Sequence, residues 1–176
     1  MDPVLWGSKP DMMTEIPTLL IVWHSRTGAA KAMAQAAFEA AAGECTARML
    51  AADDVQPEDM LWATGYLFVC PENLASMTGA MKEFFDRHYY PVLGRIEGRP
   101  YAAMVAAGSD GQGAVRQIER IATGWRLRRI ADSLIVCTDA QTPEAIAAPK
   151  RLGATDLARC GELGAMLGAG VAMGIF

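Results

Sequence analysis

Apolar residues in this chain gather into short unbroken runs separated by longer stretches of mixed pattern. Thr18–Trp23 (TLLIVW), Gly65–Cys70 (GYLFVC), Pro100–Ala107 (PYAAMVAA) and Ser133–Thr138 (SLIVCT) are the clearest. A strand with one wet face alternates apolar and polar residues, so a continuous run predicts a strand covered on both faces. Cys45–Leu50 is a weaker strand of the same kind. Between the runs the pattern turns helical. The alanine-rich AAKAMAQAAFEAAAG predicts a helix ending at Gly43. Pro57-Glu58-Asp59 opens a short helix ahead of the second strong run. Met77, Met81, Phe84, Phe85 and His88 fall on one helical face, and Pro91 is expected to stop that helix. Ala114–Thr123 reads as a helix ending at Gly124. Thr142 and Pro143 suit an N-cap and first position. Pro149 interrupts, and Leu157, Cys160, Leu163 and Leu167 form a last apolar stripe.

A strand–helix unit thus repeats about five times, which predicts an α/β fold with a parallel sheet and helices on both faces. Right-handed crossovers bring the carboxyl ends of the strands to one edge. Residues 1–17 carry Pro3, Gly7, Pro10 and Pro17 and read as an irregular N-terminal arm, with 18–176 as one domain.

Composition narrows the function classes. Hydrophobic residues make up 52% of the 176 and charged residues 20%, ample for one core and too apolar for disorder. Sixteen basic against 20 acidic side chains leave −4, so a global basic field for nucleic acid is absent. The sequence holds no uncharged apolar stretch of about 18 residues, which argues against a membrane span. The opening MDPVLWGSKPDMMTE lacks the apolar region of a secretory signal. Cys45, Cys70, Cys137 and Cys160 are far apart without a CxxC pair. They read as free thiols of a cytoplasmic protein, and no metal centre is expected.

In an open parallel sheet, ligands collect outside the strand carboxyl ends. Three loops leave such ends. The first is His24-Ser25-Arg26-Thr27-Gly28-Ala29-Ala30. Small residues, hydroxyls and the free N–H groups of a helix start suit a phosphate; equally, Thr27 caps a helix and nothing more. The second runs from Pro71 to Gly79 (PENLASMTG), where polar groups beside Leu74 and Met77 suit the edge of a flat heteroaromatic ring. The plainer alternative is that Ser76 or Thr78 caps the next helix. The third is Gly108-Ser109-Asp110-Gly111-Gln112-Gly113, whose glycines admit a ligand close to the backbone or simply make a flexible turn.

HSRTG after TLLIVW resembles the phosphate loop of flavodoxins, and CPENLASMTGAMKEFFDRHYYP resembles the second flavin loop and helix of flavodoxin-like NAD(P)H-dependent oxidoreductases and FMN reductases. GSDGQGAV is similar to their third loop. The likeness covers about residues 18–138. It implies a flavodoxin-like, doubly wound, five-stranded parallel sheet of order 2-1-3-4-5 with one non-covalent FMN. By the same likeness Ser25, Arg26, Thr27, Gly28, Ala29 and Ala30 would surround the phosphate. Pro71, Glu72, Asn73, Leu74, Ala75, Ser76 and Met77 would line the ring, with Gly108, Ser109, Asp110 and Gly111 on its other side. Glu72, Asn73, Ser76 and Ser109 are the expected ring hydrogen-bonding groups. Two departures stand out. Ala30 occupies the place of the pattern's final threonine, and no Trp or Tyr lies in the two ring loops.

The implied activity is transfer of electrons from NAD(P)H, as co-substrate, through bound FMN to a quinone-like or other small acceptor. The cofactor carries the chemistry, so no side chain is assigned a catalytic role. The alternative is a flavodoxin-type electron carrier without turnover of its own. Against it stand the modest charge, since carriers present strongly acidic faces, and the missing stacking aromatic. A homo-oligomer, dimer or tetramer, is expected, with Tyr89, Tyr90 and the apolar C-terminal segment as contact candidates. His24, His88 and Cys70 read as structural. Arg116, Arg120, Arg126, Arg128 and Arg129 form the one basic concentration, which suits either a 2′-phosphate or a solvated helix end.

Overall fold

The computed structural model describes residues 16–176, so the expected arm lies outside the described residues except for Ile16 and Pro17, both exposed. Four parallel strands form the body of the sheet in the order β2 (Thr46–Ala51), β1 (Thr18–Trp23), β3 (Gly65–Asn73), β5 (Pro100–Ala107). Two short strands share the fifth place. β6 (Arg128–Arg129) pairs with Pro100 and Tyr101, and β7 (Leu134–Cys137) pairs with Met104–Ala107. The remaining strand, β4 (Ser76–Met77), turns back antiparallel on the end of β3. The parallel order 2-1-3-4-5 is thus found, with its last strand interrupted.

The continuous apolar runs are buried on both faces, as their pattern requires. Leu20, Val22, Tyr66, Phe68, Cys70, Ala103 and Val105 face one layer of helices: α2 (Pro57–Trp62), α3 (Gly79–Val92) and α4 (Gln112–Gly124). Leu19, Ile21, Leu67, Val69, Ala102 and Met104 face the other, made by α1 (Ala29–Ala41) and α6 (Ala154–Met173). A five-residue helix, α5 (Pro143–Ala147), begins at Thr142, whose Oγ1 accepts from the Ala145 N–H, the cap expected there.

Two helix boundaries differ from the sequence expectation. Pro91 lies inside the last turn of α3, which continues to Val92. A proline this near a helix end costs only one ladder bond, because carbonyls of the final turn have few partners in any case. Met77 belongs to β4 rather than α3, yet it is buried in the same cluster as Met81, Phe84 and Phe85.

Small residues set the distance between α1 and α6. A Cβ on Gly164 would lie 2.3 Å from the Ala37 carbonyl oxygen, and one on Gly168 would lie 3.2 Å from Ala41 Cα. On the same helix, a Cβ on Gly161 would stand 3.7 Å from the Ala36 oxygen, an ordinary contact. Backbone therefore rests on backbone at Gly164, and the last segment of the chain is a packed helix. No helix among the described residues is long and apolar enough to cross a membrane.

His88 is fully buried beside Phe84, with ring centroids 4.7 Å apart. Its Nδ1 lies 2.8 Å from the Phe84 carbonyl oxygen, while Nε2 has no hydrogen-bond partner among the described residues. Burial lowers its pKa from 6.5; the Phe84 carbonyl works against that shift, Arg87 adds to it, and the Val55 backbone and then Asp59 oppose it more weakly.

Gly164→Ala should lower the unfolding free energy by about 1–3 kcal/mol in urea titration, as overpacking does. Gly161→Ala should be neutral or stabilising by up to about 1 kcal/mol, because the alanine gains helix propensity without a clash. For His88 the folded pKa lies below the unfolded one, so the unfolded chain binds more protons in acid. Its contribution is complete above pH 6.5 and is lost as pH falls through the folded value. Unfolding free energy measured from about pH 7 to about pH 5 should decline, and His88→Leu should flatten that slope.

Candidate functional site

The register of β3 builds the site. Its ladder with β1 ends where Trp23 meets Val69, and its ladder with β5 ends where Pro71 meets Ala106. Glu72 and Asn73 therefore run on beyond both ladders. There Asn73 pairs with Ser76 across a two-residue turn, Leu74-Ala75. Both turn residues have positive φ, 50° and 58°, the geometry of a tight hairpin turn that normally selects asparagine and glycine. Holding two L-residues there costs roughly 1–2 kcal/mol each, so other contacts must keep the turn in place.

Those contacts come from α4. The Glu72 carboxylate accepts from the Gly111 N–H with Oε1 (2.9 Å) and from the Ala114 N–H with Oε2 (3.0 Å). The helix α4 has no acid in its own first turn and no side-chain cap. Glu72 supplies the missing negative charge and acceptors from another element. Gln117 Oε1 accepts from the Met77 N–H at 2.8 Å and the Ser76 hydroxyl at 2.9 Å. Gly113 lets the two segments meet, since a Cβ there would lie 2.0 Å from the Ala75 oxygen. Two of the three glycines of the third loop thus serve protein packing: Gly113 against the turn, and Gly111 as a left-handed N-cap at φ 85°.

The helix α1 contrasts with α4. Its N-cap, Gly28, is left-handed at φ 100°, with no acid in the first turn and no side-chain cap. The first ladder bond runs from the Ala32 N–H to the Gly28 oxygen, so the N–H groups of Ala29, Ala30 and Lys31 precede it. Ser25 Oγ accepts from the Gly28 N–H at 3.1 Å and holds the loop closed. The Lys150 N–H donates to the Thr27 oxygen at 2.7 Å, tying this loop to the segment before α6. Ala30 is 1% exposed and its methyl packs in the core. What that position offers a ligand is its backbone.

These loops enclose a cleft of about 890 Å³ at the carboxyl edge of the sheet. Ser25, Arg26, Thr27, Ala29 and Ala30 line one end; Pro71 to Leu74 form one side, with Gly108 and Ser109 opposite. Gly28 sits behind its loop as the cap. Ala75, Ser76, Met77, Asp110 and Gly111 lie outside the lining: Ser76 and Met77 turn to Gln117, and Gly111 to Glu72. With the Asn73 amide turned so that its NH2 donates to the Glu72 carbonyl, its oxygen accepts from Arg26 Nη1 at 3.3 Å. Leu74 is fully exposed. Among the described residues, none of the lining side chains is aromatic.

A fourth wall had no counterpart among the loops expected from the sequence. Thr138, Ala140, Gln141, Ile146 and Lys150 come from the segment after β7. The Lys150 ammonium donates to the carbonyls of Ala145 (2.6 Å), Ile146 (3.0 Å) and Ala148 (2.6 Å) and so closes the end of α5. The signal was there: SLIVCT is a parallel strand, and the segment leaving its carboxyl end must emerge at the same edge.

The two histidines and Cys70 stay out of the cleft lining. His24 Nδ1 is buried without a partner among the described residues, and burial lowers its pKa. Burial pushes the Cys70 thiol up to about 12, which keeps it protonated.

A family model described as NADPH-dependent FMN reductase matches residues 37–139, from within α1 to just past β7. The chain belongs to that family. A flavodoxin of Aquifex aeolicus (strain VF5) is 34% identical over 97 residues, 54% of this chain and 52% of that protein. The chain thus spans about half the length of this curated relative. Among solved structures, a flavodoxin from the domain Archaea superposes with TM-score 0.71 at 18% identity, over 88% of this chain and 98% of its own. A flavodoxin, WrbA-like protein of Agrobacterium tumefaciens gives TM-score 0.71 at 16% identity, over 89% and 98%. At such identities the likeness establishes the flavodoxin-like fold.

The Glu72 bridge has a measurable consequence. Glu72→Ala removes two charge-assisted bonds and leaves the start of α4 uncapped. Unfolding free energy should fall by about 1.5–3 kcal/mol in urea titration; an unchanged midpoint would show the bridge to be idle.

Proposed function

We propose that the cleft holds one FMN and that the chain passes electrons from NAD(P)H to a quinone-like or other small acceptor. The observation that carries this reading is the contrast between the two helix starts. Glu72 satisfies α4, whereas the N-terminus of α1, uncapped and acid-free behind the left-handed Gly28, meets the cleft through Ala29 and Ala30. Such an end favours an anion. Thr27 and Ser25 supply hydroxyls there, and the backbone of Ala29 and Ala30 supplies N–H groups. The ring would lie between the Pro71–Leu74 side and Gly108–Ser109, with Asn73 and Ser109 as its polar neighbours. Bound flavin accepts two electrons from a nicotinamide and returns them to an acceptor. The protein's own part is to hold and orient: Arg26 and Asn73 join the first loop to the second, and Glu72 positions the hairpin from behind. Among the described residues no aromatic covers the ring face, which leaves it open to a flat substrate. Exposed Tyr90 and Leu93 at the end of α3 support a homo-oligomer.

A flavodoxin-type carrier is the second reading, favoured by the name of the 34% identical relative. An absorption spectrum of the purified chain, followed by anaerobic mixing with NADPH or NADH, separates the two. We expect flavin bands after FMN addition, bleaching by nucleotide and reoxidation by a quinone. Bleaching by neither nucleotide supports the carrier, and failure to bind FMN overturns both. Thr27→Ala should weaken FMN binding about tenfold, the loss of one hydrogen bond to a charged group. A monomer at all concentrations in sedimentation would remove the oligomer.

A further inference from the structure

A second groove of about 460 Å³ lies across the hairpin from the cleft. Leu74 lines the cleft and Ala75 lines the groove, so one turn of chain separates them. Arg116 and Arg120 enter the groove from α4, Lys82 enters from α3, and Ile121 adds apolar surface beside Ala75. No acidic side chain among the described residues lines it. Among the described residues, Arg116 and Arg120 make no ion pair, while Lys82 pairs with Asp86 at 2.6 Å. The acid beside them on α4, Glu119, faces away and accepts from Arg129 at 2.8 Å and Ser133 at 2.9 Å.

The basic concentration seen in the sequence is thus divided by the fold. Arg126 pairs with Glu97 at 3.5 Å, and Arg129 pairs with Glu119 and more loosely with Asp132. Arg116 and Arg120 stand four residues apart on one helical face, where like charges repel. A dianion between them would remove that repulsion, and guanidinium forks match phosphate oxygens. The volume is that of a small-molecule site. Gln117 has its Oε1 engaged by the hairpin, which leaves its amide N–H groups to donate.

We propose that this groove binds a phosphorylated adenosine, the 2′-phosphate end of NADPH, and so sets preference for NADPH over NADH. Arg116 and Arg120 hold the phosphate, Lys82 adds charge, and Ile121 with Ala75 lies against the base. The nicotinamide end then passes over the Leu74-Ala75 turn into the cleft. This rests on the proposed function, and its test is built to fail separately.

Calorimetry on the full chain compares adenosine 2′,5′-bisphosphate, 5′-AMP and inorganic phosphate. The bisphosphate should bind at least about tenfold tighter than 5′-AMP, and Arg116→Gln/Arg120→Gln should abolish that difference. In the same double variant KM for NADPH should rise about tenfold, with kcat and KM for NADH unchanged. Equal binding of the two nucleotides, or discrimination that survives in the double variant, overturns the proposal. Inorganic phosphate binding as tightly as the bisphosphate overturns the adenosine part. Flavin bleached by NADPH with no nucleotide discrimination sinks this site alone. Discrimination in a chain that takes up no FMN sinks the proposed function alone.

Discussion

The backbone ladder of β3 is the member from which the site hangs. It is paired with β1 on one side and β5 on the other, so its direction and register are set twice. Both its faces are buried: Tyr66, Phe68 and Cys70 against α3 and α4, Leu67 and Val69 against α1. A one-residue slip would exchange these two sets, placing large aromatics where α1 leaves room for alanines. The overrun of β3 beyond β1 and β5 then fixes how far the hairpin stands above the sheet edge. The height of the cleft wall is a consequence of register, not of loop composition.

From that overrun the remaining features derive in order. A two-residue turn at the tip forces Leu74 and Ala75 into left-handed backbone. That unfavourable conformation persists because α4 is bonded to both arms of the hairpin, through Glu72 on one and Gln117 on the other. Gly113 is needed for the approach. The same helix start that would otherwise attract an anion is neutralised by Glu72, which leaves α1 as the uncapped N-terminus of the two. Strain, capping and the choice of anion site are one coupled arrangement, and it also divides the cleft from the basic groove beyond.

Much of the fold was legible because buried parallel strands leave an unmistakable pattern. TLLIVW, GYLFVC and PYAAMVAA are apolar at successive positions for the reason that both faces are covered, and each became a strand. Boundaries were less legible where two preferences compete. Pro91 reads as a stop, but the last turn of α3 tolerates it. The extension of β3 through Glu72 and Asn73 was hidden because its polar residues resemble a loop. Ser76 and Met77 read as ring-facing, yet Gln117, 41 and 40 residues away, turns them to the opposite side. The fourth wall from Thr138 to Lys150 escaped because its residues carry no chemical signature. Their position is set only by strand direction.

The sequence by itself determined the α/β architecture, the strand order through the likeness of its loops, and the three segments that reach one sheet edge. Periodicity and loop chemistry are local, and local features survive in a one-dimensional reading. Only the tertiary structure decided which of those residues face the cleft, that Glu72 serves α4, and that Arg126 and Arg129 find ion-pair partners while Arg116 and Arg120, among the described residues, do not. Each of these depends on partners distant in the chain. Hydrogen bonds and ion pairs are satisfied by whatever the fold brings near, and no spacing along the sequence records it.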